Sequence, residues 1–146
     1  MTDPRKTDAG NPADWLDFAD DDLAVVRLQF ASRTAYWAAR GKLSEAFEKA
    51  LKADLIRRGW RLQKTHDLQR LADQLAAFDA DAAKSLQPRV DELAESYTES
   101  RYPGFDLDEE DWPALARLTD GVAAYMQEVR RQVGNPMGRA MEGRNV

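Results

Sequence analysis

A chain of 146 residues, 43% of them hydrophobic, fits one domain, and at that size about 68–70% of the unfolded surface can be buried without staples. It has no cysteine, which excludes disulfides, thiolate metal sites and a cysteine nucleophile, and this suits a reducing cytoplasm. The net charge of −5 opposes indiscriminate binding to nucleic acid, but it is unevenly spread: residues 1–34 carry −3, residues 35–70 carry +5 and residues 71–146 carry −7.

Residues 1–12 hold Pro4, Gly10 and Pro12 with little that is apolar, and read as a flexible arm without an apolar leader core. From Ala13, the three- and four-residue steps of Trp15, Phe18, Ala19, Val26 and Phe30 predict an inward helix face, with Asp22 on the same stripe. A second and longest helix is expected from about Thr34 to Arg58, with Tyr36, Ala39, Leu43, Phe47, Ala50 and Leu51 inward and Gly59 as its stop. Glu45 and Lys49, and Glu48 and Lys52, have the spacing of ion pairs on an outer face.

Thr65 can cap a third helix bearing Leu68, Leu71, Leu75 and Phe78. A fourth is expected to start near Ser85 or Gln87, with Pro88 in its first turn and Val90, Leu93, Ala94 and Tyr97 inward, and to end by Pro103-Gly104. Asp111-Trp112-Pro113 predicts a capped fifth helix, buried through Leu115, Leu118, Val122, Tyr125, Met126, Val129 and Val133 and stopped at Gly134-Asn135-Pro136. Residues 13–133 therefore form one all-α domain, a helical bundle with short connections, and residues 134–146 are a flexible tail. No apolar run approaches the roughly 20 residues of a membrane helix, so no membrane partner is expected.

The single histidine excludes a site built from two, and no carboxylate cluster has ligand spacing, so neither a metal nor another cofactor is expected. Gly-rich phosphate loops and GxSxG elbows are absent as well. What remains is polar residues in unusual places. Arg101 continues the inward face of the fourth helix beyond Leu93 and Tyr97, and Asp22 is its expected internal partner. His66, beside Thr65 and Asp67 at the start of the third helix, can cap, orient a neighbour or move a proton.

Three linked stretches carry a resemblance: Ser44-Glu45-Ala46-Phe47-Glu48-Lys49-Ala50-Leu51-Lys52-Ala53, then Lys64-Thr65-His66-Asp67-Leu68, then Tyr97 with Arg101-Tyr102-Pro103. In order and spacing, with Ala19-Asp22-Leu23 ahead of them, they are similar to the HEPN family of prokaryotic helical domains over roughly residues 13–133. Ser44-Glu45 departs from the family pattern, which commonly has two glutamines there.

The resemblance implies a five-helix domain with an up-and-down four-helix core, commonly homodimeric and often paired with a minimal nucleotidyltransferase in toxin–antitoxin-like modules. It implies nucleotide or RNA binding in some members and, in others, metal-independent RNA cleavage through an Arg-x(4–6)-His motif. Lys49, Lys52, Lys64 and Arg101, with Tyr97 or Tyr102 as a stacking face, are the expected phosphate-binding set. Arg61 and His66 have the nuclease spacing, although Leu62 follows the arginine and the pair spans a connector instead of a late helix. A third reading is a protein-interaction module anchored by Trp37, Trp60 or Trp112.

Overall fold

The computed structural model describes residues 6–96, 102–104 and 109–134. Within them lie five helices: α1 (Pro12–Ser32), α2 (Tyr36–Arg57), α3 (Leu68–Phe78), α4 (Ala80–Leu93) and α5 (Trp112–Gly134). The chain is all-α, as expected. Asn11 caps α1 through Ala13 N–H, with Pro12 in the first turn, and Asp111 Oδ1 accepts from Ala114 N–H at the start of α5. Gly59, at φ 100°, ends α2 in the left-handed region that favours glycine.

α2 is the axis of the bundle. It packs against α1, α3, α4 and α5, while α1 with α2 and α3 with α4 are the most extensive pairings. Burial follows from that position. Leu43, Phe47, Leu51 and Leu55 are fully buried along α2, and they meet Leu68, Leu71 and Leu75 of α3, Val90 and Leu93 of α4 and Leu115 and Val122 of α5 in one core. A helix surrounded in this way keeps only a narrow, partly exposed face, which holds Lys42, Glu45 and Lys49. Ser44, Glu48, Lys52 and Asp54 are all buried, so the expectation of a solvated Glu48–Lys52 pair is corrected.

Three further expectations change. Phe18 and Phe78 are each 46% exposed, and Ala94 is exposed; on α1 and α3 the buried stripe is narrower than the apolar one. The fourth helix starts at Ala80, not near Ser85, and Pro88 lies inside it. Asp79 alone separates the two helices, as the C-cap of α3 and the N-cap of α4, and its carboxylate accepts from Ala82 N–H at 3.0 Å. The reciprocal amide bonds between Gln69 and Gln87, at 2.6 and 3.2 Å, set α3 and α4 side by side as an antiparallel hairpin.

Two predictions arise here. Pro88 offers no N–H to the carbonyl of Lys84, one turn earlier, and proline inside a helix costs about 3 kcal/mol relative to alanine. Pro88→Ala is therefore expected to raise stability by about 2 kcal/mol, after about 0.4–1 kcal/mol is returned to the freer unfolded chain. Denaturant melts check it; a drop would mean that the proline fits a bend that α4 needs.

The second concerns acid. The backbone N–H of Ala82, and then the Arg58 guanidinium, hold Asp79 below the usual carboxylate range. A carboxylate whose folded pKa is depressed adds stability above its unfolded pKa and loses that stability as pH falls through the folded value. Asp79→Asn should flatten the acid limb of a stability-against-pH curve and leave its neutral slope unchanged. An unaltered acid limb would show that this cap plays no part in acid unfolding.

Candidate functional site: a buried ion pair beneath an exposed histidine

Glu48 and Lys52 are one turn apart on α2, and Lys52 Nζ lies 2.7 Å from Glu48 Oε2. Their residues are 5% and 4% exposed. Burying a carboxylate or an ammonium alone is costly, so each requires the other. On the α1 side, Lys52 Nζ also sits 5.1 Å from the ring centroid of Trp15, a cation–π contact. Trp15 is fixed in turn by its indole N–H, which donates to Ala9 O at 2.7 Å.

The second oxygen of Glu48 faces the start of α3. His66 Nδ1 lies 3.0 Å from Glu48 Oε1 and 3.2 Å from Oε2, while the imidazole is 62% exposed. An ionised carboxylate only accepts, so Nδ1 carries the hydrogen in this contact and Nε2 is turned away from Glu48. The backbone here is fixed as well. Thr65 Oγ1 accepts from Asp67 N–H at 3.1 Å, and Asp67 Oδ1 caps α3 through Arg70 N–H at 3.1 Å. The result is a surface imidazole whose tautomer and orientation are set from inside the bundle.

Before the histidine runs the connector that carries Arg61 and Lys64, both exposed. Gln63 pins it, its Oε1 accepting from Arg70 Nη2 at 3.1 Å and Gln74 Nε2 at 3.0 Å. Among the described residues no hydrogen bond or ion pair engages Arg61 or Lys64. Two cationic side chains and one oriented imidazole thus share a short stretch of surface in the one basic segment of the sequence.

The other candidate residues are distributed differently. Lys49 donates to Asp22 Oδ2 at 2.6 Å, and Lys42 lies 3.9 Å from the other Asp22 oxygen, so Asp22 of α1 is met by two lysines of α2. Lys52 is buried and paired with Glu48, so it is not open to a phosphate, and Tyr102 is 60% exposed. Tyr97 and Arg101 fall outside the described residues, and with them the Asp22–Arg101 pair. Trp37, Trp60 and Trp112 are partly buried against the core; Trp60 donates to Gln74 Oε1 at 2.6 Å, and Trp112 meets Phe30 and Tyr36 edge-on.

Sequence reasoning missed Glu48 as the residue behind the histidine. No signal for it lay in the spacing: at about 100° per residue, positions 45, 48, 49 and 52 fall within one arc of α2 and only Asp54 stands opposite, so they read as a single charged face. A second buried network ties the far end of α2. Asp54 accepts from Arg57 Nε at 2.8 Å, Arg58 Nε at 3.0 Å and the Tyr125 hydroxyl at 2.7 Å. Burial, and then the Asp54 charge, push the Tyr125 hydroxyl well above its ordinary value, which suits an anchor and not an acid–base group. Among the described residues no three His, Asp or Glu side chains gather in metal-holding geometry, and no helix is long and apolar enough to cross a membrane.

The family model described as HEPN domain matches residues 12–129, a span that takes in α1 to α4 and most of α5. No curated protein and no solved structure gives a significant match.

Proposed function

The chain belongs to the HEPN domain family, and from that premise we propose that it binds the phosphate of a nucleotide or RNA at the His66 surface. Family membership supports a nucleotide- or RNA-related function in general. The observation that carries the finer reading is the oriented imidazole over a buried ion pair. A buried pair is weak support for stability, whereas a carboxylate behind an imidazole fixes which ring nitrogen faces a ligand. Arg61 and Lys64 supply exposed positive charge in the connector just before it, and Tyr102 offers an exposed ring for stacking. In this reading the protein works as a homodimer with a nucleotidyltransferase-type partner, in a toxin–antitoxin-like module. The family resemblance, not the geometry, supports that partner and that assembly.

A second reading follows from the same contact. A histidine held by a carboxylate is the acid–base half of many hydrolytic sites, and Arg61 precedes His66 by the nuclease spacing. As a metal-independent endoribonuclease, the protein would use His66 Nε2 to accept the 2′-hydroxyl proton as that oxygen attacks phosphorus. His66 of a second subunit would return a proton to the leaving 5′-oxygen, with Arg61 or Arg101 stabilising the phosphorane charge.

Incubation of the purified protein with labelled RNA in chelator, beside His66→Ala and Arg61→Ala, tests both readings. The expected result is RNA retained without cleavage, less at high salt and less in both variants. Cleavage abolished by both substitutions would replace binding with catalysis. Neither retention nor cleavage would remove both and leave a protein-interaction module.

A further inference from the structure

We propose that the groove between α4 and α5 is a second phosphate-contact site for RNA, with Arg89 and Arg117 as its donors. The inference rests on the RNA reading of the His66 surface and extends it along the bundle.

Gly121 is the starting observation. It lies inside α5, where glycine is the weakest helix former after proline. Its use there is spatial: a Cβ at Gly121 would lie 2.2 Å from Arg89 Nε, 2.6 Å from Nη2 and 2.8 Å from Cζ. The Nε–Nη2 edge of the Arg89 guanidinium, from α4, therefore occupies the space that a side chain at this position of α5 would take. Arg117 is one turn before Gly121, and both arginines line a groove of about 500 Å³ with Pro88, Ala114 and Leu118 as its apolar wall.

Neither guanidinium has an acceptor among the described residues. Among the described residues no hydrogen bond or ion pair engages Arg89 or Arg117, although Glu92 also lines the groove. Several other arginines do have carboxylate partners: Arg57 and Arg58 meet Asp54, Arg130 meets Asp17 and Asp20, and Arg131 meets Glu128; Arg89 and Arg117 share their unpaired state with Arg61 on the His66 surface. In a chain of net charge −5, two unpaired guanidiniums in one groove make a local anion acceptor. Phosphate oxygens suit their planar N–H donors.

The groove is level with the histidine. In the α3–α4 hairpin Gln69 stands opposite Gln87, so the antiparallel register sets residues 66–67 opposite 89–90. The two surfaces then differ by about two helix diameters, roughly 20 Å, a span one short RNA strand can cover.

The test measures retention of a labelled single-stranded RNA against salt for the full chain, for Arg89→Ala/Arg117→Ala, and for Gly121→Ala, each with folding checked by circular dichroism. The double variant should bind more weakly, with its log–log salt slope reduced by about 1.4, roughly 0.7 for each lost contact. Gly121→Ala keeps every charge and adds a better helix former, yet should also bind more weakly because it displaces the Arg89 guanidinium. Wild-type affinity and slope in the double variant, with weakening in His66→Ala, would overturn the groove alone and point to an acidic protein partner there. No retention by the wild-type chain would overturn both readings.

Discussion

Lys52→Met lowers the unfolding free energy by about 3–5 kcal/mol, the range for removing one partner of a buried ion pair. The methionine fills much of the same volume but leaves the Glu48 carboxylate, 7% exposed at its side chain, with the mostly exposed His66 as its remaining hydrogen-bond partner among the described residues. The stacking of the ammonium on Trp15 is lost too. Glu48→Gln/Lys52→Met should recover most of the loss, because the cost lies in an unpaired buried charge more than in the missing attraction. Denaturant unfolding of the two variants is the measurement. A single-variant loss below about 1 kcal/mol, the value typical of surface pairs, would show that the pair is solvated. The double variant also separates folding from function: it should fold while weakening RNA retention, since a neutral amide holds the Nδ1–H of His66 less firmly than a carboxylate does.

Phe47→Ala costs a similar amount, about 3–5 kcal/mol, for a different reason. Phe47 is fully buried on the axial helix, and its ring meets Tyr125 of α5 edge-on, with centroids 5.9 Å apart. Truncation leaves a hole at the meeting of α2 and α5 that close-packed neighbours fill only partly. The melting temperature should fall by on the order of 10 °C. The loss adds to that of Lys52→Met only if the two sites are independent. Five residues apart, the two side chains point about 140° from each other around α2, so a double-mutant cycle should show nearly additive losses. A loss near 1 kcal/mol would mean that the core collapses around the gap.

The helices were legible where apolar spacing and a cap agreed. Asp111-Trp112-Pro113 and the run from Leu115 to Val129 placed α5 correctly, and Gly59 marked the end of α2. The start of α4 is hidden because a proline such as Pro88 usually marks a first turn, while Ala80, Ala82 and Ala83 supply little periodic signal. The cap that starts it, Asp79, is an ordinary aspartate next to another helix end. At the site, His66 and Arg61 could be singled out from residue type and spacing alone. The role of Glu48 could not, because its one-turn spacing from Lys52 is the same for a surface pair and a buried one. Only the central position of α2 distinguishes them, and that depends on contacts between helices far apart in sequence.

The single-residue join at Asp79 also bears on where the chain can change length. The stretch 58–67 between α2 and α3 has room for an added residue, and insertions in such connectors are thermodynamically mild. At 79 an extra residue would turn α4 by about 100° against α3. That rotation would carry Ala83, Leu86, Val90 and Leu93 out of the core and take Arg89 off its seat on Gly121. The hairpin behaves as a fixed-length gauge, and variation in length among folded descendants of this sequence should fall in the connectors and spare this corner.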